Sequence, residues 1–329
     1  MLDVITIGAA SRDVFVVSDA FRAIHSESFQ TGIGECVSLG SKIELDHLVL
    51  TTGGGATNTA ATFGCLGFKT GCLCRIGEDF AGRDVLEELK TVHVSAKLVQ
   101  TIPHGQTAYS TILTMKDGER TVLVYRGVSK TFSVKDIPWK KLRARWIYLT
   151  SLGGNIALTK TIIKTAHKNG AKIAWNPGKK ELEKGLRGIT SVLPLLDLLL
   201  MNREEAEILL HTSSATIPDL VRTFPFSWEK HLVITDGTKG AYAFSQGTIL
   251  KSETTKAKSI SRTGAGDAFG SGLVTGLIKY KDLKKALQLA TLNAESVIQH
   301  YGAKKGILKT WPTEKQLKTI SVKELSPLT

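Results

Sequence analysis

The second half of the chain alternates between short apolar runs and longer segments in which apolar residues recur every three or four positions. The short runs have the length of buried strands, and the longer segments have the periodicity of amphipathic helices. Predicted strands cover residues 146–150, 172–175, 196–201, 232–235 and 241–244, and predicted helices cover 157–169, 203–210, 265–279, 283–299 and 314–319. Because alternating strands and helices form parallel sheets, the pattern predicts an α/β fold with a doubly wound, mostly parallel sheet.

The first half of the chain contains strand-like runs of a different kind. Residues 42–50 alternate between polar and apolar side chains, as a half-exposed strand does. Two more alternating runs, 107–113 and 120–125, are joined by Lys116-Asp117-Gly118-Glu119, a sequence typical of a hairpin turn. We interpret these runs as strands of a small sheet outside the main core.

The small sheet would form a lid from two separated stretches, about 14–50 and 105–130. We find no disordered linker and no internal repeat, so residues 1–329 are predicted to form one domain that carries this lid. No window approaches the ~18 uncharged apolar residues of a membrane span. The chain begins with a strand-like run, which is not typical of a signal peptide. These features predict a cytoplasmic protein with no membrane partner.

The cysteine spacing argues against a zinc site, and the distribution of charge argues against a nucleic-acid-binding protein. Cys72 and Cys74 should point to one face of a strand, but a zinc site would need a second ligand pair, and we find none. The net charge is +13, yet the lysines are scattered and no basic stripe is interleaved with aromatic residues. This distribution indicates a solvated basic surface, and we expect no nucleic-acid partner. The positive field would still favour an anionic substrate or nucleotide.

The strongest candidate for chemistry is the motif Gly264-Ala265-Gly266-Asp267, which opens an apolar helix. Small residues let the backbone approach a ligand closely, and the unpaired N–H groups at a helix start form an anion site. A carboxylate beside such a site suggests that Asp267 accepts the proton of a substrate hydroxyl while the backbone stabilises a transferred phosphoryl group. Alternatively, Asp267 is a first-turn acidic residue in an ordinary tight turn.

A second glycine-rich segment could also contact a ligand. Gly53-Gly54-Gly55 precedes a helix of small residues, and Asn58 lies one turn into that helix with a donor and an acceptor that suit sugar hydroxyls. Asp13 follows the first predicted strand, residues 4–10, at the edge where ligands bind in open α/β sheets. Asp13 could bind a substrate hydroxyl, or it could be an ordinary turn residue.

Two further strand ends carry suggestive polar groups. Asn202 is a good N-cap with Glu205 at the N3 position, which predicts either a capping box or a glutamate that holds Mg²⁺ through water near phosphates. Residues 235–240 link two strands through glycines. They could form a simple hairpin, or they could contact the phosphate or base of a nucleotide.

Taken together, the segments resemble the ribokinase-like (pfkB-type) carbohydrate kinase family, and they stand in that family's order over nearly the whole chain. They are Asp13, Gly53-Gly54 through Asn58, Gly77-Glu78-Asp79 to Gly82, Asn176-Pro177, Asn202 with Glu205, Thr235 with Gly237 and Gly240, and Gly264-Ala265-Gly266-Asp267. The resemblance implies a Rossmann-like core, a β lid that often forms a dimer contact, and an ATP- and Mg²⁺-dependent kinase. Its acceptor would be a hydroxyl of a sugar or, alternatively, of a nucleoside.

The resemblance also implies a role for each motif. Asp267 would be the base, and Gly264, Ala265 and Gly266 would form the anion hole. The acceptor would be bound by Asp13, Gly54 and Asn58.

On the nucleotide side, Asn202 and Glu205 would lie near the phosphates and Mg²⁺. Thr235, Gly237 and Gly240 would contact the nucleotide, and Asn293 would lie near the adenine.

The chain departs from the family pattern at two positions. Ser261-Arg262-Thr263 stands where the family usually has Asp-Thr-x, and the missing acid commonly helps to bind a monovalent cation. We hypothesise that Arg262 supplies this positive charge, so the need for a monovalent cation stays open. Residues 150–154 lack the acidic sugar ligand that ribokinases tend to carry, which argues against ribose itself.

Arg126 lies at the end of the second lid segment. It could pair bidentately with a phosphate or carboxylate on the substrate, or it could be a surface residue packed on Tyr125. A protein that kept the fold as a non-catalytic sugar or nucleotide sensor is the alternative to a kinase.

Overall fold

The computed structural model describes residues 1–29, 31–115, 119–213, 216–224 and 230–325. Its strands are β1 Leu2–Ile7, β2 Ser11–Val17, β3 Arg22–His25, β4 Ile33–Cys36, β5 His47–Gly53, β6 Thr70–Leu73, β7 Arg75–Gly77, β8 Val94–Ser95, β9 Gln100–Ile102, β10 Ala108–Thr114, β11 Arg120–Tyr125, β12 Ala144–Leu149, β13 Lys172–Trp175, β14 Leu198–Asn202, β15 His231–Thr235, β16 Ala241–Ser245, β17 Thr248–Ser252 and β18 Val322–Leu325. Its helices are α1 Gly55–Cys65, α2 Phe80–Thr91, α3 Ile156–Lys168, α4 Lys179–Leu182, α5 Gly185–Ile189, α6 Arg203–Leu210, α7 Ile217–Arg222, α8 Ala265–Tyr280, α9 Leu283–Val297 and α10 Glu314–Leu317.

Ten strands of the described chain form the main sheet, in the order β18-β17-β16-β15-β14-β13-β12-β1-β6-β8. Every pair from β15 to β8 is parallel, and the three pairs from β15 to β18 are antiparallel. The predicted mostly parallel sheet is therefore confirmed. The parallel strands β1, β6 and β12 to β15 are mostly buried on both faces, which explains why they read as continuous apolar runs.

Helices cover both faces of the main sheet. Adjacent residues of β14 illustrate the arrangement, because Leu199 packs in the core layer with α3, α6 and α7, whereas Leu200 packs in the layer with α1, α8 and α9. Side chains alternate across a strand, so one continuous apolar run serves both layers. The helix pair α8 and α9 lies on the second face and carries the glycine-rich motif at the start of α8.

A separate sheet of the described residues has the order β11-β10-β2-β5, and it joins two stretches that are far apart in sequence, as predicted for the lid. Its strands begin at Ser11 and extend to Gly53, slightly beyond the predicted stretches. The alternating run 42–50 is a strand only from His47 onward. The hairpin between β10 and β11 is present, but Lys116-Asp117-Gly118 lies outside the described residues.

Lid and core are joined directly at the carboxyl ends of the parallel strands. β1 passes into lid strand β2, and lid strand β5 passes into α1 through Gly54. Gly54 has φ 93°, and a Cβ there would lie 2.5 Å from the carbonyl oxygen of Ala9, so only glycine fits this crossing. Asp13 consequently lies within β2, and the interpretation of Asp13 as a turn residue was wrong.

Within the described ranges, none of the helices has both the length and the apolar composition that crossing a bilayer requires.

Candidate active site

A cleft of about 620 Å³ lies between the lid sheet and the carboxyl ends of the parallel strands. Its lining includes Asp13, Gly54, Arg126, Asn176, Glu205 and Asp267. These residues come from both lid and core and span most of the sequence. The structure therefore brings together at one cleft the predicted base, most of the predicted acceptor-binding residues and the predicted metal-binding glutamate.

Asp267 lies in the first turn of α8, beside backbone N–H groups that no side chain caps. The N-cap residue Gly264 has φ 82°, and a Cβ there would lie 2.4 Å from Cβ of Ala303, so this position requires glycine. A Cβ on Gly266 would instead point into open space. An uncapped helix N-terminus with open space above it is a site at which an anion can contact the backbone.

The Asp267 carboxylate is held by a residue of another helix. Asn58 of α1 is buried, and its Nδ2 donates a hydrogen bond of 2.8 Å to Oδ2 of Asp267. Burial raises the pKa of Asp267 to about 6, and the negative charge of Asp13 acts in the same direction, whereas the Asn58 hydrogen bond and the positive charge of Lys304 oppose the shift. A carboxyl group with this pKa is largely ionised at pH 7 and is basic enough to accept a proton.

Asp13 lies across the cleft from the core. Its side chain is buried, and its Oδ1 accepts a hydrogen bond of 2.8 Å from Oγ of Ser11. A Cβ on Gly53 would lie only 1.9 Å from Oδ2 of Asp13. The glycine triplet after β5 therefore makes room for this carboxylate as well as turning the chain.

Glu205 and Asn202 form the capping box that is one of the two predicted arrangements. The backbone N of Asn202 donates to Oε2 of Glu205 at 2.9 Å, and the backbone N of Glu205 donates to Oδ1 of Asn202 at 2.8 Å. Burial raises the pKa of Glu205 to about 7 despite the Asn202 hydrogen bond, and the nearby acids Glu204, Asp267 and Glu181 add to the shift. The capping box does not take Glu205 out of the cleft, which this residue also lines.

The residues predicted to contact the nucleotide divide into two groups. Thr235 pairs in register with Asn202 on the neighbouring strand, and the turn after it closes with a hydrogen bond of 2.8 Å from the N of Asp236 to the O of Gly240. Gly237 is open to its surroundings, whereas a Cβ on Gly240 would lie 2.0 Å from the carbonyl oxygen of Ser252. This hairpin lies beside the cleft, at the same edge of the main sheet.

Asn293 occupies a different position. It is fully buried, its Nδ2 donates to the O of Ala268 and to Oγ1 of Thr62, and its Oδ1 accepts from the N of Leu308. This side chain ties α9 to α8 and α1, and it has no exposed surface to offer an adenine. The expectation that Asn293 lies near the adenine stays a prediction.

Three basic residues line the acceptor side of the cleft: Arg126, Lys130 and Lys180. Arg126 is exposed and follows the last lid strand directly. Within the described residues, none of the three side chains has an ion-pair or hydrogen-bond partner. Arg262 is also exposed, and it lies close enough to Arg120 of the lid to lower the pKa of that guanidinium, after the larger effect of burial.

Sequence reasoning missed three residues around the cleft. Lys304 is buried and contacts Asn58, but its contacts span the whole chain and no local pattern marks them. Glu181 is fully buried and accepts hydrogen bonds from the hydroxyl of Ser151 and from the backbone N of Leu152 and Gly154. The loop at residues 150–154, which has no acid of its own, is therefore organised by an acid from α4. The local signal at Glu181 is weak, because the residue three positions before it is Gly178, which has no side chain to complete a capping box. Tyr148 lies buried beneath α8, and burial together with the charge of Asp267 raises its pKa.

No group of three or more His, Cys, Asp or Glu side chains in the described ranges is arranged to hold a metal ion. Cys72 and Cys74 do face the same side of β6, with their sulfur atoms 3.8 Å apart. A Mg²⁺ ion that keeps its waters and is bound by one carboxylate together with substrate phosphates does not require such a group. Glu205 fits that mode of binding.

The chain matches the pfkB family of carbohydrate kinases over residues 11–311. It is 27% identical over 246 residues to an uncharacterized sugar kinase from Archaeoglobus fulgidus, which covers 74% of this chain and 96% of the relative. It is 26% identical over 240 residues to an ATP-dependent ribose-1-phosphate kinase from Halopiger xanaduensis, covering 72% of this chain and 77% of the relative.

The fold is similar to the crystal structure of a nucleoside kinase from Methanocaldococcus jannaschii, an archaeal member of the ribokinase family. The TM-score is 0.75 with 21% sequence identity, and the match covers 97% of this chain and 99% of the other. With a family match that spans most of its length and a ribokinase fold, the chain belongs to the pfkB family of carbohydrate kinases and is a sugar or nucleoside kinase.

Proposed function

We propose that the protein transfers the γ-phosphoryl group of ATP to a hydroxyl group of a sugar or sugar-like acceptor, with Asp267 as the base. One observation carries this proposal. A half-buried carboxylate, held by Asn58, lies at an uncapped helix N-terminus whose Gly266 leaves open space in front of the backbone. A base and an anion site at one point are what phosphoryl transfer to an alcohol requires.

In the proposed reaction, Asp267 accepts the proton of the acceptor hydroxyl. The acceptor oxygen then forms a bond to the γ-phosphorus as the bond to the ADP oxygen breaks. The backbone at Gly264, Ala265 and Gly266 stabilises the negative charge on the transferred group. Within this motif the N–H of Ala265 already donates to the O of Arg262, so the N–H of Gly266 is the donor that faces open space. Asp13 orients the acceptor, Asn58 contributes by holding Asp267 beside it, and Gly54 lets the backbone approach it. The lid sheet excludes water, which would otherwise compete with the alcohol.

The nucleotide would bind on the other side of the anion site. Asn202, Thr235, Gly237 and Gly240 are adjacent to one another at the edge of the main sheet, which supports their assignment to the nucleotide. Glu205 would hold Mg²⁺ through water, and the ion, when bound, would neutralise charge on the phosphates. Asn293 fixes α9 against α8, and its proposed place near the adenine belongs to this nucleotide side.

The acceptor side favours an anionic substrate. Arg126, Lys130 and Lys180 are three positive charges at one end of a cleft, and without ion-pair partners among the described residues they would repel one another unless a ligand neutralises them. A phosphate or carboxylate on a sugar has the matching charge, and one relative of this chain acts on ribose-1-phosphate. A nucleoside is the alternative acceptor, supported by the likeness to a nucleoside kinase.

A homodimer through the lid is also proposed, because the lid sheet exposes a set of apolar side chains. These are Leu48, Leu50, Val122, Leu123, Val124 and Tyr125. Leu48 and Leu50 lie on edge strand β5 and the other four on edge strand β11. Exposed apolar side chains on the edge strands of a sheet are typical of an interaction site. Sedimentation velocity should detect a dimer that Leu123→Glu dissociates, because Leu123 is exposed and does not line the cleft. A monomeric wild-type protein would refute this part of the proposal.

The experiment that tests the function is an acceptor screen. ADP formation from ATP and Mg²⁺ is measured with neutral sugars, sugar acids, phosphosugars and nucleosides, and thermal shift is recorded for each acceptor with an ATP analogue. We expect acceptor-dependent ADP formation with at least one class, strongest for an anionic sugar. Binding of ligands without ADP formation would support a non-catalytic sensor and refute the kinase.

A further inference from the structure

Lys304 is a buried lysine that the proposed reaction has not used. It follows α9, and only 5% of its side chain is exposed. A buried ammonium group is costly unless it is paired and hydrogen-bonded. Its place next to Asn58, the residue that holds Asp267, therefore calls for a functional explanation.

The contacts of Lys304 come from three separate elements. Its Nζ lies 3.0 Å from Oε2 of Glu88 on α2, donates to the O of Thr52 at 2.8 Å, and contacts Oγ1 of Thr57 at 3.1 Å and Oδ1 of Asn58 at 3.3 Å. Thr52 also donates its hydroxyl to Glu88. The ammonium is thus neutralised on one side by Glu88 and directed on the other side at Asn58.

The groups on either side of Asn58 determine the orientation of its side-chain amide. The Lys304 ammonium can only donate, and an ionised Asp267 can only accept. The amide oxygen of Asn58 must therefore face Lys304, and its NH₂ group must face Asp267, as the 2.8 Å bond from Nδ2 to Oδ2 indicates. If Lys304 were replaced by an apolar residue, this orientation would lose one of the two groups that impose it.

Lys304 also supplies the positive charge that acts on Asp267. The other charged or titratable groups that act on or near this carboxylate are Asp13 from the lid, Glu205 from α6 and the buried hydroxyl of Tyr148 from β12. Ala303 packs against Gly264, so the segment that carries Lys304 is fixed to the N-terminus of α8. The lysine and the carboxylate are therefore held in one rigid arrangement.

We propose that Lys304 is a positioning residue that fixes the Asn58 amide toward Asp267 and keeps this carboxylate ionised and aimed at the acceptor hydroxyl. The inference rests on the proposed role of Asp267 as the base. Lys304 does not touch the substrate, and Glu88 holds the lysine in place from the side opposite to Asn58. The exposed neighbour Lys305 provides a matched control, because it carries the same charge without these contacts.

The kinetic test compares Lys304→Met with Lys305→Met over a range of pH. An opposite charge nearby typically lowers a carboxyl pKa by about 1–3 units, so we expect Lys304→Met to move the acid limb of kcat/KM upward by about one unit. For a wild-type pKa of about 6, this shift corresponds to a loss of about fivefold at pH 6 and to almost no loss at pH 9. Lys305→Met should leave the profile unchanged. An unmoved acid limb in a folded Lys304→Met variant would overturn the inference.

A second measurement does not depend on activity. The Asp267 carboxyl is titrated by NMR in protein labelled with ¹³C-aspartate, without substrate, and Asp267→Asn assigns the signal. We expect the Asp267 pKa to rise in Lys304→Met and in the double variant Lys304→Met/Glu88→Gln, which leaves no unpaired charge if the single variant folds poorly. An unchanged pKa in either folded variant refutes the role of Lys304 even if the kinase is active, whereas an inactive protein with a raised pKa refutes only the proposed function.

Discussion

The two sides of the cleft use charge in opposite ways. On the core side, Asp267 is paired with Asn58, and Asn58 is paired in turn with Lys304, so each polar group is satisfied within the protein. On the acceptor side, Arg126 and its basic neighbours line the cleft without partners among the described residues. A group that performs chemistry must be held in one geometry before substrate arrives, whereas a group that recognises substrate gains affinity from being unpaired until then. The comparison assigns catalysis to the core side and specificity to the lid side.

The largest expected effect comes from replacing the proposed base on the core side of the cleft. Asp267→Asn keeps the shape and an oxygen for Asn58 but removes the base, so we expect kcat to fall by roughly 10²–10⁴. The measurement is steady-state ADP formation with the acceptor that the screen identifies, with Asp79→Asn, a helix N-cap of α2, as the control for general disruption. A change in kcat of less than about threefold would remove Asp267 from the role of base.

Changing Arg126 tests the lid side. We expect Arg126→Ala to raise KM for an anionic acceptor by about tenfold or more, because a charge-assisted hydrogen bond to a phosphate or carboxylate is lost. KM for a neutral acceptor should stay nearly unchanged. Arg126 would have no part in recognition if both acceptors were affected equally.

The raised pKa of Asp267 also predicts a cost in stability. The folded protein has this pKa at about 6, above the ordinary value near 3.9, so the folded state binds the proton more tightly than the unfolded state. The stability contributed by that proton is present at low pH and is lost as the pH rises through about 6. We therefore expect Asp267→Asn to raise the free energy of unfolding by about 1–2 kcal/mol at pH 8, with the gain shrinking toward pH 4. Urea denaturation at pH 8 and pH 4 measures the difference in free energy of unfolding between the variant and wild type. A variant that is less stable than wild type at pH 8 would contradict the prediction.

The smallest expected effect concerns monovalent cations. Arg262 is exposed and stands beside the anion site, where we hypothesise that its charge takes the place of a bound ion. Potassium should then change turnover by less than about tenfold, which is about 1.4 kcal/mol in the barrier. Turnover in potassium is compared with turnover in a large organic cation at equal ionic strength. A larger activation by potassium would rule out this hypothesis.

Local sequence signals located most strands and long helices of the core to within a few residues, but strand β17 and the short helices α4, α5 and α7 were not predicted. Helix α6 was predicted to the residue, because Asn202 marks its start and the apolar spacing ends with it. Lid strands β5, β10 and β11 were located from their alternation, whereas β2, which contains Asp13, was not predicted as a strand. Strand β18 was missed because two of its four residues, Lys323 and Glu324, are charged and its pairing partner β17 is remote in sequence.

The site was only partly predictable, because several of its residues are defined by contacts with residues that are distant in sequence. Asp267 and Gly264 stand out because a single motif combines small residues with an acid. Lys304 and Glu181 do not stand out, because their meaning comes from contacts with residues distant in the sequence. The contacts of Asn293 with α8, α1 and Leu308 could not be predicted, because an amphipathic pattern gives the buried face of a helix but not the groups that this face meets.

The most direct test of the central claim is the dependence of kcat/KM on pH for wild type and Asp267→Asn. If Asp267 is the base, wild-type kcat/KM should fall below an apparent pKa of about 6, and this acid limb should be absent from the residual activity of Asp267→Asn. An acid limb that survives unchanged in Asp267→Asn would assign the titration to another group, such as Glu205 with its pKa of about 7, and would contradict the account.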